Sequence, residues 1–415
     1  MRTKAVLLAL LLLAPAARAD GSGELVLRLE GRSPNDSGPL ASAVALQPGL
    51  AGPQRSGRLL LVELHHAQPL RAGLALQGKL LLGHAWPQGG TPVDRSRVDE
   101  LHLAWDGGAW QASLGKKVLG WDVGYAFRPN DVVQQEERRA LLAQAPEGRP
   151  LLQLEHFDAD TAWALVAVQP ERWDQDRTRQ RGAREAALAA RLYHRVGSLD
   201  LHGFARHGRH TGASVGAALA WVATDALELH ASWRAMRRHD GLWLDLPEGP
   251  LARQDPWRAG TLGAARQWLL GAQWTGGPSL TLLAEWWHDG QAPSDQTWRQ
   301  WSARNALLHE LARQPALRSA VAGNLAWQAS VLTATALRRD NAYVRLSWQP
   351  EDWTLAVDVL LTPSDRGRAA SASVQWKGPQ WRVDAAWRVY GGPQAALLSQ
   401  LPLRRSALLA ASRPF

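Results

Sequence analysis

The charged residues of this chain fall at every second position of apolar runs, and that spacing limits the chemistry open to them. In residues 381–390, WRVDAAWRVY, Trp381, Val383, Ala385, Trp387 and Val389 fall on one side, and Arg382, Asp384, Ala386 and Arg388 on the other. Residues 98–105 (VDELHLAW), 199–206 (LDLHGFAR) and 227–234 (LELHASWR) repeat the pattern. An ionic row opposite a greasy row pairs across strands or lines a passage for charged solutes. Arrangements that break bonds are missing: there is no H-E-x-x-H, phosphate loop or dinucleotide fingerprint, and the one G-x-S-x-G string, GASVG at 212–216, falls inside an alternating run. The 13 His are scattered. His207 and His210 stand beside a turn without acidic companions, and His65–His66 is a strand pair. The absence of Cys excludes a disulfide framework and any thiolate metal or redox site. Asp174 and Asp176 read as a polar loop. We expect no enzyme, no metal and no cofactor.

A period of two requires β-strands, whose side chains alternate between faces. The strands read near 24–31, 58–66, 72–83, 97–106, 109–118, 150–157, 161–168, 185–196, 198–207, 212–222, 225–236, 261–274, 278–288, 332–348, 353–361, 368–377, 380–390 and 403–413. Residues 40–47 could add a strand and a turn at 338–341 could split 332–348, but either alone would break the even count, and neither is adopted. An even count puts both termini on one side. Alternation alone fits a soluble sheet as well as a membrane barrel. The connections decide: tight turns such as 106–108, 197–198, 276–278 and 378–379 alternate with long segments such as 119–149, 169–184, 237–259 and 289–329. The expected fold is all-β: a transmembrane, antiparallel, up-and-down β-barrel of about eighteen strands, with long extracellular loops and a short loop helix. About eighteen strands enclose an aqueous lumen rather than a packed core. There are 22 Trp but only four Tyr and four Phe. Trp105, Trp221, Trp233, Trp348, Trp353 and Trp376 near strand ends fit interface girdles.

The chain opens MRTKAVLLALLLLAPAARAD. Arg2 and Lys4, an apolar run over 5–14 and the small residues at 17–19 have the order of a secretory signal, cut between Ala19 and Asp20. Residues 1–19 would then be the signal and 20–415 a single barrel. Removing Arg2, Lys4 and Arg18 lowers the formal charge from +9 to +6. No later run of eighteen apolar residues could form a membrane helix.

In a barrel the apolar row faces lipid and the ionic row faces inward. The inward basic candidates are Arg28, Lys79, Arg191, Arg195, Arg206, Arg234, Arg345, Arg382 and Arg388. Opposite them stand Glu30, Glu100, Asp200, Glu228, Glu285, Asp358 and Asp384. Many should pair, and the surplus is basic, which favours anions or acidic solutes. Residues 115–132, GKKVLGWDVGYAFRPNDV, leave the fifth strand with the glycine and aromatic density of an ordered loop that constricts the lumen. Residues 295–320 have helical spacing at Leu307, Leu308 and Leu311 with a break at Pro315; the segment reads either as a gate over the mouth or as a surface helix. The cluster Arg177, Arg179, Arg181 and Arg184 lies in an outer loop, where it meets solvent or an anionic surface; nucleic-acid binding is not expected.

Taken together these residues resemble a Gram-negative outer-membrane β-barrel over the whole chain. That resemblance implies that Phe415 is the terminal aromatic read by the barrel assembly machinery. Leu409, Ala411 and Phe415 keep the alternation, while Arg413 and Pro414 interrupt it. TPSDRGR (362–368), RVYGGPQ (388–394) and LPLRR (401–405) are similar to the C-terminal part of large porin-like families, including the eighteen-stranded alginate-export type. The resemblance implies an outer-membrane location, monomeric or trimeric, with lipid, lipopolysaccharide, the assembly machinery and small anionic solutes as partners. Passive diffusion of small, acidic solutes is the first reading. The exit barrel of an export system for an acidic polymer or small molecule, and a structural barrel with an occluded lumen, stand beside it. A hydrolase would need a serine on a strand-to-helix elbow with a histidine beside it, and the one G-x-S-x-G string, at 212–216, sits in an alternating run instead.

Overall fold

The computed structural model describes residues 21–53, 55–134, 146–169, 185–334 and 336–415. The chain runs through β1 (Gly21–Pro34), α1 (Pro39–Leu46), β2 (Gly57–Arg71), β3 (Leu74–Pro87), β4 (Val93–Asp106), β5 (Trp110–Lys117), β6 (Arg149–Phe157), β7 (Thr161–Val168) and β8 (Ala187–Val196). It continues through β9 (Leu199–Gly208), β10 (Gly212–Thr224), β11 (Leu227–Met236), β12 (His239–Leu244), β13 (Trp257–Leu262), β14 (Ala265–Gly276) and β15 (Leu280–Asp289). After α2 (Asp295–Leu311) and α3 (Arg318–Ser330) come β16 (Asp340–Trp348), β17 (Trp353–Thr362), β18 (Gly367–Lys377), β19 (Arg382–Gly391) and β20 (Leu403–Pro414).

Eighteen of these strands form one closed antiparallel sheet in which each pairs with the next, and β11 pairs directly with β14. β12 and β13 form a separate hairpin inside the β11–β14 connection. The ring closes where β20 lies on β1, with Glu24 opposite Pro414 and Arg28 opposite Ala410. Phe415 completes that seam: its N–H donates to the Gly23 carbonyl at 2.9 Å, and the Gly23 N–H donates to the Phe415 carbonyl at 2.9 Å.

The β2–β3, β4–β5, β6–β7, β8–β9, β10–β11, β14–β15, β16–β17 and β18–β19 connections are tight turns at the end that carries the two ends of the barrel. Gly197 adopts φ 60° in one of them, a conformation that an L side chain rarely takes. The long connections gather at the opposite rim.

Burial alternates along the strands and tells inside from outside. In β7, Val166 is 2 % exposed and its neighbour Leu165 52 %. In β6, Arg149, Leu151 and Gln153 are buried while Leu152 and Leu154 are exposed. Along the middle of the strands the outward row is apolar, with Leu188, Leu192, Val215, Leu270, Trp286 and Val357 all exposed. Such a surface is stable against hydrocarbon. Trp105, Trp221, Trp348 and Trp353 are exposed beside the tight turns, whereas Trp233 stands near the loop end with Trp86 and Trp286. Arg413 shares the outward side with Leu409 and lies over the Trp381 ring at 5.6 Å, so the ring shields the charge that breaks the terminal alternation.

The strands correspond one for one to those expected, but three segments differ. Residues 40–47 are not a strand: α1 starts at Pro39, directly after Gly38 at φ 94°, and buries Ala43. The fourteenth barrel strand starts at Asp340, not 332, because Leu332 and Leu337 are drawn into an apolar cluster above the rim. The expected helix over 295–320 is two helices. Pro315 cannot continue α2, and a 3-10 turn over Pro315–Leu317 leads into α3. Val321, Ala322, Leu325 and Ala329 then bury one face of α3. The β12–β13 hairpin was not foreseen.

These loop elements build a cap over the rim. Trp301 of α2 is fully buried, its indole N–H donating to the Gln328 carbonyl at 2.9 Å, and Trp298 donates to the Leu337 carbonyl at 2.7 Å. Ala43 of α1 packs with Leu308 of α2 and with Val321 and Leu325 of α3. The β19–β20 loop joins through Asn35, whose amide donates to the Ser399 and Leu401 carbonyls at 2.7 and 2.8 Å.

Candidate functional site

Residues 118–134 follow the end of β5 at Lys117 and turn into the barrel; within β5, Gly115 adopts φ 134°. Two acids fold the loop on itself. Asp131 accepts the Trp121 and Asp122 N–H groups at 2.7 and 3.0 Å, and Asp122 accepts those of Val123 and Asn130 at 2.9 and 2.5 Å. Gly124 is a close approach: a Cβ there would collide with the Phe127 carbonyl.

The loop is then fastened far from its origin. The Tyr125 and Ala126 N–H groups donate to the two carboxylate oxygens of Glu285 on β15 at 2.6 and 2.7 Å. His230 of β11 approaches the same carboxylate at 3.0 Å. Ser232 donates to Asp122 at 2.8 Å, Asn130 donates to Ser232 at 2.8 Å, and Arg234 donates to the Pro129 carbonyl at 3.1 Å. Phe127 is fully buried on Leu269 and stacks on Trp287 at 5.5 Å; Tyr125 stacks on Tyr343 at 6.1 Å. β15 lies close to half the ring away from β5 and β6, so the loop runs round the inner wall to nearly the opposite side.

The inner wall is accordingly of two kinds. From β6 to β10 its loop-side part carries an apolar cluster, where Leu151, Val166, Ala189, Phe204 and Ala218 pack with Leu119, Trp121 and Val133 of the loop, while Arg191, Arg195 and Asp200 point inward nearer the tight turns. From β16 through β5 it is ionic. All sixteen strand residues named as candidates lie on the inward side, by the same alternation that places the buried residues. They do not form a free basic row. Arg382 bridges Glu24 at 2.9 Å and Asp384 at 3.1 Å; Lys79 bridges Glu63 at 2.7 Å; Arg28 reaches Glu30 at 3.7 Å; Arg345 reaches Asp358 at 3.8 Å. Arg195 holds Asp200 at 3.0 Å beside a tight turn, and Arg206 holds Glu185 at 2.9 Å. Glu228 lies 3.7 Å from His230, Glu100 accepts the Val118 N–H at 3.4 Å, and Arg388 donates to Ser371 at 2.8 Å. Lys117 donates to the neutral acceptors Ser113 and Gln153 at 3.0 and 2.9 Å, and Arg234 donates to Ser214 at 3.1 Å.

Three carboxyl groups outside the strands have perturbed proton affinity. Burial in the loop raises the Asp122 pKa. Burial would raise Glu185 as well, but donors from Thr211 and the His210 backbone, together with Arg206, hold it below the ordinary value. Asp365 follows the same logic: burial opposes ionisation, and Thr362, the Leu397 N–H, Arg338 and the Gly367 N–H outweigh it. Asp365 is a junction of the rim. Arg338 bridges it at 2.9 Å and Asp295 of α2 at 3.0 Å, and Leu397 donates to it at 2.9 Å. TPSDRGR is thus the β17–β18 turn that secures the cap, and RVYGGPQ and LPLRR flank the loop it holds.

Sequence reasoning missed Asp122, Asn130, Ser232, Asp365 and Arg338 in these roles. Each is a single polar residue whose partner lies far along the chain. Arg177, Arg179, Arg181, Arg184, Asp174, Asp176, Ala19 and Asp20 lie outside the described residues.

No family model matches the sequence, and no curated protein matches it. Solved structures do. OccAB1 of Acinetobacter baumannii aligns at TM-score 0.55 and 10% identity, over 95% of this chain and 96% of that one. OccK5 (OpdH) of Pseudomonas aeruginosa aligns at 0.54 and 8%, over 95% and 98%, and OccK11 (OpdR) of the same organism at 0.53 and 10%, over 95% and 96%. The fold is a porin's. At this identity the likeness concerns the porin architecture, the closed ring of eighteen strands, and not the residues that line it.

Proposed function

We propose that the chain is an outer-membrane channel in which small, preferentially acidic solutes diffuse past the 118–134 loop along the ionic wall of β16 through β5. One observation carries the reading: a loop held on Glu285 lies inside the barrel, packed on the apolar cluster of β6 to β10, and narrows the passage beside the ionic wall. An apolar belt outside and a narrowed, charged passage inside are what selective diffusion across a bilayer requires. The preference for anions is supported by Lys117 of β5, whose positive charge rests on the neutral acceptors Ser113 and Gln153. Export to the outer membrane by residues 1–19, cleavage after Ala19 and recognition of Phe415 by the assembly machinery belong to the same proposal. The motifs that suggested an alginate exporter serve the rim, so the channel reading does not depend on them.

Planar-bilayer recording tests it. Purified protein should give discrete conductance steps, with a reversal potential in a salt gradient that favours the anion. Glu285→Gln should widen the steps. Silence from the intact protein, and again after the cap is removed, would sink the channel and leave a structural barrel.

A further inference from the structure

The outward face carries two stacked clefts that a passage for solutes does not use. Where β10, β11, β14 and β15 reach the loop end, a cleft of about 590 Å³ is bordered by Arg237, Arg266, Arg339 and His288. Beneath it a groove of about 470 Å³ is floored by Ala217 and Ala231 and walled by Leu219, Trp233, Trp268 and Leu270. Arg266 and Trp268 are successive outward positions of β14, so the basic cleft begins about 7 Å above the indole. The two clefts are joined: Trp268 lies opposite His288 and stacks on it at 6.1 Å.

The charge of the upper cleft is not spent within the protein. Arg237 and Arg266 are exposed and have no acidic partner among the described residues. Among the described residues, the Arg339 side chain donates to the Ala292 carbonyl, at 3.1 Å, and to no carboxylate. The nearby acids are engaged: Asp340 with His288 at 2.7 Å, and Asp289, on the inward side, with Gln267 at 2.7 Å. Three guanidinium groups directly above a tryptophan-walled apolar groove match a molecule with several phosphates on top of acyl chains. A zwitterionic phospholipid brings its own cation and leaves most of this charge unanswered.

We propose that the two clefts hold one lipopolysaccharide molecule, with its lipid A phosphates on Arg237, Arg266 and Arg339 and an acyl chain in the groove between Trp233 and Trp268. The inference rests on the outer-membrane reading, with the loop end facing outward.

The test uses the full chain, purified from outer membranes in detergent, with bound lipopolysaccharide counted per barrel by mass spectrometry. The wild type should retain it. Arg237→Gln/Arg266→Gln/Arg339→Gln should lose about a hundredfold of that affinity, the combined effect expected of three basic residues at a membrane surface. Ala217→Phe, which fills the groove and keeps every charge, should lower retention as well. Unchanged conductance shows that either variant is folded. Added lipopolysaccharide should raise the Tm of delipidated protein, and inorganic phosphate or phosphatidylethanolamine vesicles should not. Equal retention by the triple variant, or an equal shift with phosphatidylethanolamine or phosphate, would overturn the assignment. A conducting barrel that never carries lipopolysaccharide refutes this inference alone; a chain absent from the outer membrane refutes the channel reading first.

Discussion

Glu285 shows how one residue can be legible in type and illegible in role. Its place in the alternating run of β15 marks it as inward. Its task, accepting two loop N–H groups from a segment some 160 residues earlier, leaves no trace in local spacing. Hydrogen bonds to a charged acceptor contribute roughly 1.5–3 kcal/mol each. Glu285→Gln keeps one oxygen and supplies a donor where a backbone N–H already points. The loop should loosen, and single-channel recording should show larger, noisier steps with the barrel intact. The rim carboxyls give a pH prediction. Asp365 and Glu185 titrate below their ordinary values, so their stabilisation is complete above about pH 4 and is lost as pH falls through the lower folded values. Limited proteolysis should therefore find the rim loops cut faster below about pH 4, and Asp365→Asn should be as susceptible at neutral pH as the wild type is in acid. Asp122 has the opposite sign: its raised pKa makes its contribution greatest in acid and removes it as pH rises through that value. A loop whose rate of cutting ignores pH would contradict the assignment of these groups.

At the scale of elements, the strands were readable because two signals agree along most of the chain: a period of two, and turn residues at its ends. The cap was less so. Residues 331–337 are apolar and lead into a genuine strand, so period alone extended β16 backwards; only the neighbouring helices explain why Leu332 and Leu337 are buried above the rim. The hairpin β12–β13 is short and carries Gly241 and Gly260 at the centre of its register, which weakens the strand signal. The cap has its own core and should fail separately from the barrel. Trp301→Ala removes a fully buried indole and should cost roughly 3–5 kcal/mol locally. Proteolysis within 295–333 should then rise sharply, while the heat-modifiable mobility of the barrel on gels stays as it was. Replacing residues 293–336 by a short glycine-serine link between β15 and β16 should leave a conducting barrel; a collapse of the whole fold would show that the cap is part of the barrel's stability and not an addition to it.

For the whole molecule, the outward belt and the inward ionic wall make opposite demands on the same substitution. An arginine at Leu165 or Val357, both more than half exposed on the outer side, should cost roughly 2–4 kcal/mol when the barrel is unfolded from lipid vesicles by urea. Ser371→Arg, on the inward side, should cost far less and shift ion preference instead. Equal penalties at both positions would mean that the exterior does not meet hydrocarbon. One further property follows from how the ring is joined. Every neighbouring pair but one consists of strands consecutive within the sheet's chain order; β1 and β20 come from the two extremes of the sequence, finished by the Gly23–Phe415 bonds. Until that contact forms, the nascent sheet has two raw borders whose peptide groups find no partner in oil. Hairpins can accumulate one by one near water, yet none can settle singly in the bilayer core. For a barrel that enters lipid, entry and the closing of that seam must therefore coincide.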